Sequence, residues 1–244
     1  MKKEHVLERY LDSLLKGDRN ACRAVIEETL QSGIPANSVY MDVIWPVMVE
    51  IDKLYRNDTI DSAQEAFATR INRTIVDQLQ NKLPRKPQRS RRIVIFSANT
   101  QNAELGAQMV TDLFESDGWE ARFLGGSVNN DDILAFIHTY RPDILLLYGI
   151  DAKDAPRVRQ LIDSVKTINA FPNIRIMLSG GVFARAESLW EEIGADLFAE
   201  TATDAVRLAS EDTDKIPTPQ RTIKRRKKSY SQTEPLPKVE SIPT

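Results

Sequence analysis

Five short apolar runs, alternating with helical patterns, fill the chain beyond Arg92 and restrict its fold more than any other feature. The runs lie at 93–96, 121–124, 144–147, 174–178 and 195–198. Helical patterns lie between them at about 103–117, 130–140, 154–168 and 184–193, and a last one follows near 202–210. This order predicts an α/β fold, a flavodoxin-like doubly wound parallel sheet of five strands with helices on both faces. Ligands of such sheets bind at the carboxyl ends of the strands.

The first third of the chain has a different periodicity. Leu7, Tyr10, Leu11 and Leu14 recur at helical spacing, and further helical patterns follow. A third helix is predicted over 39–54 with an interruption or kink at Pro46, and a fourth over 63–83. We therefore predict a small N-terminal helical bundle.

The chain divides by pattern into four segments. They are a helical bundle over 1–83, a basic linker over 84–92, the α/β domain over 93–212 and a disordered basic tail over 213–244. The tail has eight basic and three acidic residues and few large apolar ones, which is typical of disorder. Its run of five basic residues from Lys224 to Lys228 is more typical of a solvated segment than of a binding site.

Composition excludes several classes of protein. The chain has 244 residues, 41% of them hydrophobic, and no apolar run long enough for a membrane span. A single cysteine, Cys22, cannot form an intrachain disulfide, and we expect a cytoplasmic protein. With only two histidines and no Cys/His cluster, we predict no metal site and no catalytic residue. We find no helix-turn-helix pattern, so we expect no sequence-specific DNA binding by this chain alone.

A glycine-containing motif follows the first predicted strand. It reads Gln101-Asn102-Ala103-Glu104-Leu105-Gly106, and Ser179-Gly180-Gly181 follows the fourth strand. This order of motifs resembles the cobalamin-binding domain family, whose first loop reads D-x-H-x-x-G. The resemblance extends to a helical cap before the α/β domain, as in corrinoid carriers and cobalamin-dependent light-sensing regulators. In the family the motif histidine binds cobalt from below, but this chain has Ala103 there, and alanine has no lone pair. The aspartate position is Gln101.

The resemblance implies further cofactor-binding positions. The light-sensing group has a Trp and, ten residues later, a Glu-His pair over the upper face of the cofactor. This chain places Tyr55 at the Trp position and Glu65-Ala66 at the pair. A family Ser at the end of the third strand, together with the later Gly-Gly, lines a slot for the nucleotide tail of cobalamin. Here the glycines remain as Gly180 and Gly181, while Tyr148 replaces the Ser and would fill the slot.

These changes lead to one main prediction and two alternatives. We predict a non-enzymatic regulatory, sensory or protein-interaction module, without a bound cofactor, on a scaffold that has lost His-ligated cobalamin binding. One alternative is a cobalamin sensor or corrinoid carrier that binds the cofactor base-on, without a protein ligand to cobalt. The other is a sensor or enzyme for a different ligand at the strand ends, lined by Asn99, Asn102, Asp151 and Glu200. In every case we expect a protein partner, and homo-oligomers are an option.

Overall fold

The computed structural model describes residues 3–168, 173–186 and 188–213. The helices are α1 Lys3–Leu15, α2 Arg19–Gln31, α3 Ala36–Val39, α4 Trp45–Arg56, α5 Ser62–Gln80, α6 Gln101–Ser116, α7 Asn130–Tyr140, α8 Ala155–Thr167, α9 Leu189–Ile193 and α10 Ala202–Thr213. The strands are β1 Arg92–Ser97, β2 Glu120–Phe123, β3 Ile144–Tyr148, β4 Arg175–Ser179 and β5 Leu197–Ala199. The predicted disordered tail lies, apart from Thr213, outside the described residues. Within the described ranges, no helix is both long and apolar enough to cross a bilayer.

The strands form one parallel sheet in the order β2-β1-β3-β4-β5. This is the flavodoxin-like order, so the predicted fold class is confirmed. Successive side chains of a strand point to opposite faces, and both faces are apolar. One face packs against α7, α8 and α9, and the other packs against α6 and α10. Ser97, Tyr148 and Ser179 stand side by side at the carboxyl ends of β1, β3 and β4.

The helical bundle also forms as predicted, with one local difference. The helix predicted over 39–54 consists of α3, a π-helical segment Tyr40–Ile44, and α4. The Trp45 N–H donates to the Tyr40 carbonyl five residues earlier, and Pro46, which has no N–H, follows directly. The interruption therefore falls on the turn before Pro46 rather than at Pro46 itself.

The bundle packs directly on α6, so that α6 contributes to two cores. Leu105 and Met109 belong to the core of the bundle, while Ala107 and Val110 belong to the core on the sheet. Polar contacts accompany this packing, for example between Gln108 Nε2 of α6 and Asp77 Oδ1 of α5 at 2.7 Å.

The segment predicted as a linker is attached to the α/β domain. The Lys86 N–H donates to the Ser116 carbonyl at 2.8 Å, and the Arg89 N–H donates to the Gly118 carbonyl at 2.7 Å. The Lys86 and Arg89 side chains pair with the buried Asp117 carboxylate at 2.6 and 3.1 Å. Two basic residues of this segment thus help to hold it against the α/β domain.

Candidate functional site

The first turn of α6 places the altered motif at the carboxyl end of β1. Thr100 caps the helix, and its hydroxyl accepts from the Ala103 N–H at 3.2 Å. Gln101 is exposed, whereas Ala103 is buried and faces the β3 end. A Cβ built on Gly149 would lie only 2.9 Å from the Ala103 Cβ, so the Ala103 methyl packs close to the Gly149 backbone. The position to which the resemblance assigns the cobalt ligand is therefore an apolar packing contact here.

The Tyr148 ring occupies the space between α6 and the β4 loop. A Cβ built on Gly106 would lie 2.5 Å from Tyr148 Cε1 and 2.6 Å from its hydroxyl oxygen. On the other side, a Cβ built on Gly180 would lie 3.3 Å from Cε2. Tyr148 is 8% exposed, and burial followed by the charge of Asp52 raises the pKa of its hydroxyl. The two glycines thus make room for a side chain of the same protein.

Trp45, at the start of α4, covers the Tyr148 ring from the bundle side. Their ring centroids are 6.1 Å apart with an interplanar angle of 73°, an edge-to-face arrangement. Trp45 belongs to the bundle, yet it contacts the α/β domain. Tyr55, which the resemblance places at the Trp position of the family, is 42% exposed. Aromatic residues at helical spacing do not by themselves reveal which core they face.

The predicted upper-face residues lie in the first turn of α5. Glu65 and Ala66 are both half-buried. Burial, and then the charge of Asp52 on α4, raises the pKa of the Glu65 carboxyl. A second side chain of α5, Arg73, reaches α6, where its Nη2 donates to the Gln101 carbonyl at 3.3 Å.

Gly181 is explained by the backbone of its own chain. Its φ is +60°, and a Cβ there would lie 2.3 Å from the Ile150 carbonyl oxygen. Such an approach is possible only for glycine, with no need for a ligand. The resemblance assigns Gly180 and Gly181 the same role, but a Cβ on Gly180 would lie closest to the Tyr148 ring, whereas a Cβ on Gly181 would lie closest to the backbone of Gly149 and Ile150.

Other polar groups at the strand ends do not form a recognisable catalytic set. Asn99 and Glu200 are exposed. The buried Ser97 Oγ and Asn102 Oδ1 have no hydrogen-bond partner in the described part of the chain. Over those same residues, no group of three or more His, Cys, Asp or Glu side chains is placed to hold a metal ion.

The fold and the site together define a class of protein: a helical cap on a flavodoxin-like domain with a glycine-lined slot at its strand ends. Two family models, each described as a B12 binding domain, match residues 6–80 and 91–209. The chain belongs to the B12-binding domain family.

Relatives match over almost their full length. Dimethylamine corrinoid protein 1 of Methanosarcina acetivorans is 23% identical over 223 residues, which cover 86% of this chain and 99% of the relative. Monomethylamine corrinoid protein 2 of the same organism is 22% identical over 215 residues, which cover 86% and 98%. The structure of the Methanosarcina barkeri monomethylamine corrinoid protein has a TM-score of 0.75 at 18% identity, covering 86% of this chain and 100% of that one. This structural likeness confirms the fold.

The residues present do not fit cobalamin in the family's His-ligated mode. Ala103 offers no donor to a metal, and Tyr148 takes the space assigned to the nucleotide tail. The family nevertheless makes cobalamin the expected ligand class, and the prediction of no cofactor gains no support from the comparisons.

Proposed function

We propose that this chain is a non-enzymatic regulatory or protein-interaction module of the B12-binding family, in which Tyr148 takes the place of the nucleotide tail. The observation that carries the proposal is the Tyr148 ring, held between Gly106 and Gly180 and covered by Trp45. Protein cores are densely packed, so a bound tail in that space would require the ring to leave.

The direct contact between cap and sheet supports the same conclusion. Met41 and Trp45 of the bundle pack against the core of the α/β domain, and Leu105 and Met109 of α6 pack into the bundle. Separating these surfaces to admit a corrin ring would expose apolar area to water. Such exposure has a free-energy cost of about 25 cal/mol per Å². A closed arrangement of this kind suits a module that acts through its outer surface and a partner protein.

A second candidate function is favoured by the relatives. Corrinoid proteins match this chain at both domains and along 98–99% of their own length. In base-on cobalamin the cofactor's own base occupies the lower position of cobalt, so neither a histidine nor an open tail slot is required. On this alternative the chain is a base-on cobalamin sensor or a corrinoid carrier that works with a protein partner.

One binding experiment separates the two candidates. The full chain is mixed with adenosyl-, methyl- and hydroxocobalamin in separate samples and desalted, and its visible absorption spectrum is recorded. We expect a colourless protein from all three mixtures. A stoichiometric corrinoid spectrum would refute the main proposal and support base-on binding.

A variant with both Ala103→His and Tyr148→Ser tests whether these two side chains are what closes the proposed site. If only these side chains close the site, the variant retains cobalamin and its spectrum shows histidine ligation. If the pocket between cap and sheet has closed as a whole, the variant stays colourless. The single Ala103→His variant is the matched control, because it supplies the ligand and leaves the Tyr148 ring in place.

A further inference from the structure

A chain of hydrogen-bonding groups crosses the interface between the bundle and α6, away from the slot. Gln80 Nε2 of α5 donates to Asp112 Oδ1 of α6 at 2.8 Å. Asp112 Oδ2 lies 2.9 Å from the Tyr40 hydroxyl oxygen, which lies 3.0 Å from the Val76 carbonyl oxygen. Asp112 is 4% exposed and Tyr40 is fully buried.

The number of hydrogens available to these hydrogen-bonded groups indicates whether Asp112 is protonated. The Tyr40 hydroxyl has one hydrogen, yet two acceptors, Asp112 Oδ2 and the Val76 carbonyl, lie within hydrogen-bond distance of it. A carbonyl oxygen cannot donate. Both contacts are full, separate hydrogen bonds, rather than one hydrogen shared between two acceptors, only if Asp112 carries a proton and donates it to Tyr40, which in turn donates to Val76. Asp112 Oδ1 then remains free to accept from Gln80.

The charges around Asp112 favour the same protonated form. Asp77 acts on it from α5 and Glu115 acts on it from α6, and both of these groups are acids. Burial, and more weakly these two acids, raises the pKa of the Asp112 carboxyl to about 7, although its hydrogen bonds with Tyr40 and Gln80 act in the opposite direction. The protonated form of Asp112 is therefore populated at physiological pH.

Loss of the proton changes the interface. The Tyr40 hydroxyl must then turn to the carboxylate, which leaves its oxygen against the Val76 carbonyl oxygen without a hydrogen between them. A negative charge is also left in a buried site on which two other acids act, which is costly. Tyr40 begins the π-helical segment Tyr40–Ile44, and such turns are frequent at functional sites.

We propose that Asp112 is a proton-operated latch that holds the helical bundle against the α/β domain when protonated and loosens this contact as the pH rises through neutrality. This inference does not depend on whether cobalamin binds.

The test compares the full-length protein with the Asp112→Asn variant. Asparagine resembles the protonated acid, because its NH2 donates to Tyr40 and its carbonyl accepts from Gln80. A group with a raised folded-state pKa stabilises the fold at low pH, and this stability is lost as the pH rises toward the folded-state value. We expect the unfolding equilibrium constant of the parent to rise between pH 5 and 7, relative to the variant, by up to tenfold per pH unit (about 1.4 kcal/mol).

Asp131→Asn is the control, since Asp131 is exposed and lies on α7, a helix on the opposite face of the sheet. This variant should keep the pH dependence of the parent. Parallel stability curves for the parent and Asp112→Asn would overturn the proposal. If Asp112→Asn does not fold, infrared spectra of the parent decide. A carboxylic-acid carbonyl band that disappears around pH 7 supports the proposal, and its absence at pH 6 refutes it.

Hydrogen exchange tests the latch itself. After correction for the intrinsic pH dependence, amides of α5 and α6 should exchange several-fold faster at pH 8 than at pH 6 in the parent, and equally at both in Asp112→Asn. Equal protection of the parent at both pH values would overturn the latch even if Asp112 titrates.

Discussion

Replacing Gly106 by alanine tests directly whether Tyr148 fills the slot. In the interior of a helix such as α6, alanine is normally more stable than glycine by about 1 kcal/mol. Here the new methyl group would lie 2.5 Å from Tyr148 Cε1 and 2.6 Å from its hydroxyl oxygen. These distances are too short for non-bonded atoms, so the ring or the helix must move.

The structure sets the size of the effect. The ring has no free space to move into, because Gly180 borders its other side and Trp45 covers it. Overpacking costs about 1–3 kcal/mol, and alanine gains about 1 kcal/mol as a helix former, so we expect Gly106→Ala to lower the free energy of unfolding by about 0–2 kcal/mol. Tyr148→Ser leaves a cavity and should cost about 3–5 kcal/mol by itself. In that background the Gly106→Ala methyl enters the cavity and should stabilise the fold by about 1 kcal/mol.

The assay is urea unfolding of the parent, the two single variants and the double variant, followed by circular dichroism. We expect a coupling free energy of about 1–3 kcal/mol between the two positions. The exposed Tyr55→Ser change supplies a matched background, in which Gly106→Ala should keep its full cost. Additive effects at Gly106 and Tyr148, within about 0.5 kcal/mol, would refute the filled slot.

Three further predictions concern the framework around the site. Gly118→Ala should lower the free energy of unfolding by more than about 1 kcal/mol in urea, because φ is +90° there and a Cβ would lie 2.2 Å from the Pro87 carbonyl oxygen; unchanged stability would contradict this close approach. Asp61→Ala removes the capping box of α5 and should lower the free energy of unfolding by about 1 kcal/mol in the same assay. Asparagine is also a good N-cap residue, so Asp61→Asn should keep most of this stability. Asp117→Asn should speed hydrogen exchange of the Arg89 amide by weakening the ion pairs of the linker, and unchanged exchange would mean that the backbone contacts suffice.

The elements of the sheet were predictable because each is encoded locally. Buried parallel strands read as short continuous apolar runs, and all five predicted runs overlap the observed strands. The order of strands followed from right-handed crossovers and the family resemblance. The position of Tyr148 at the end of β3 was likewise evident from the sequence.

The contacts that depend on distant partners were not predictable. The aromatic periodicity of the bundle does not distinguish Trp45, which faces the sheet, from the exposed Tyr55. Asp112 appeared as an ordinary polar residue of a helix, since its burial arises only when Tyr40 and Gln80 meet it from another domain. The domain boundaries at 83, 92 and 212 remain predictions.

The attachment of the linker limits how the cap can move. Leu83 is buried in the core of the bundle, while the Lys86 backbone is bonded to the α/β domain. Between them the Pro84 carbonyl accepts from the Ser116 hydroxyl, and proline fixes its own φ. The segment that joins the helical bundle to the α/β domain is therefore short and is held at both of its ends. Any opening large enough to admit a corrin ring would first have to detach this segment from the domain that it crosses.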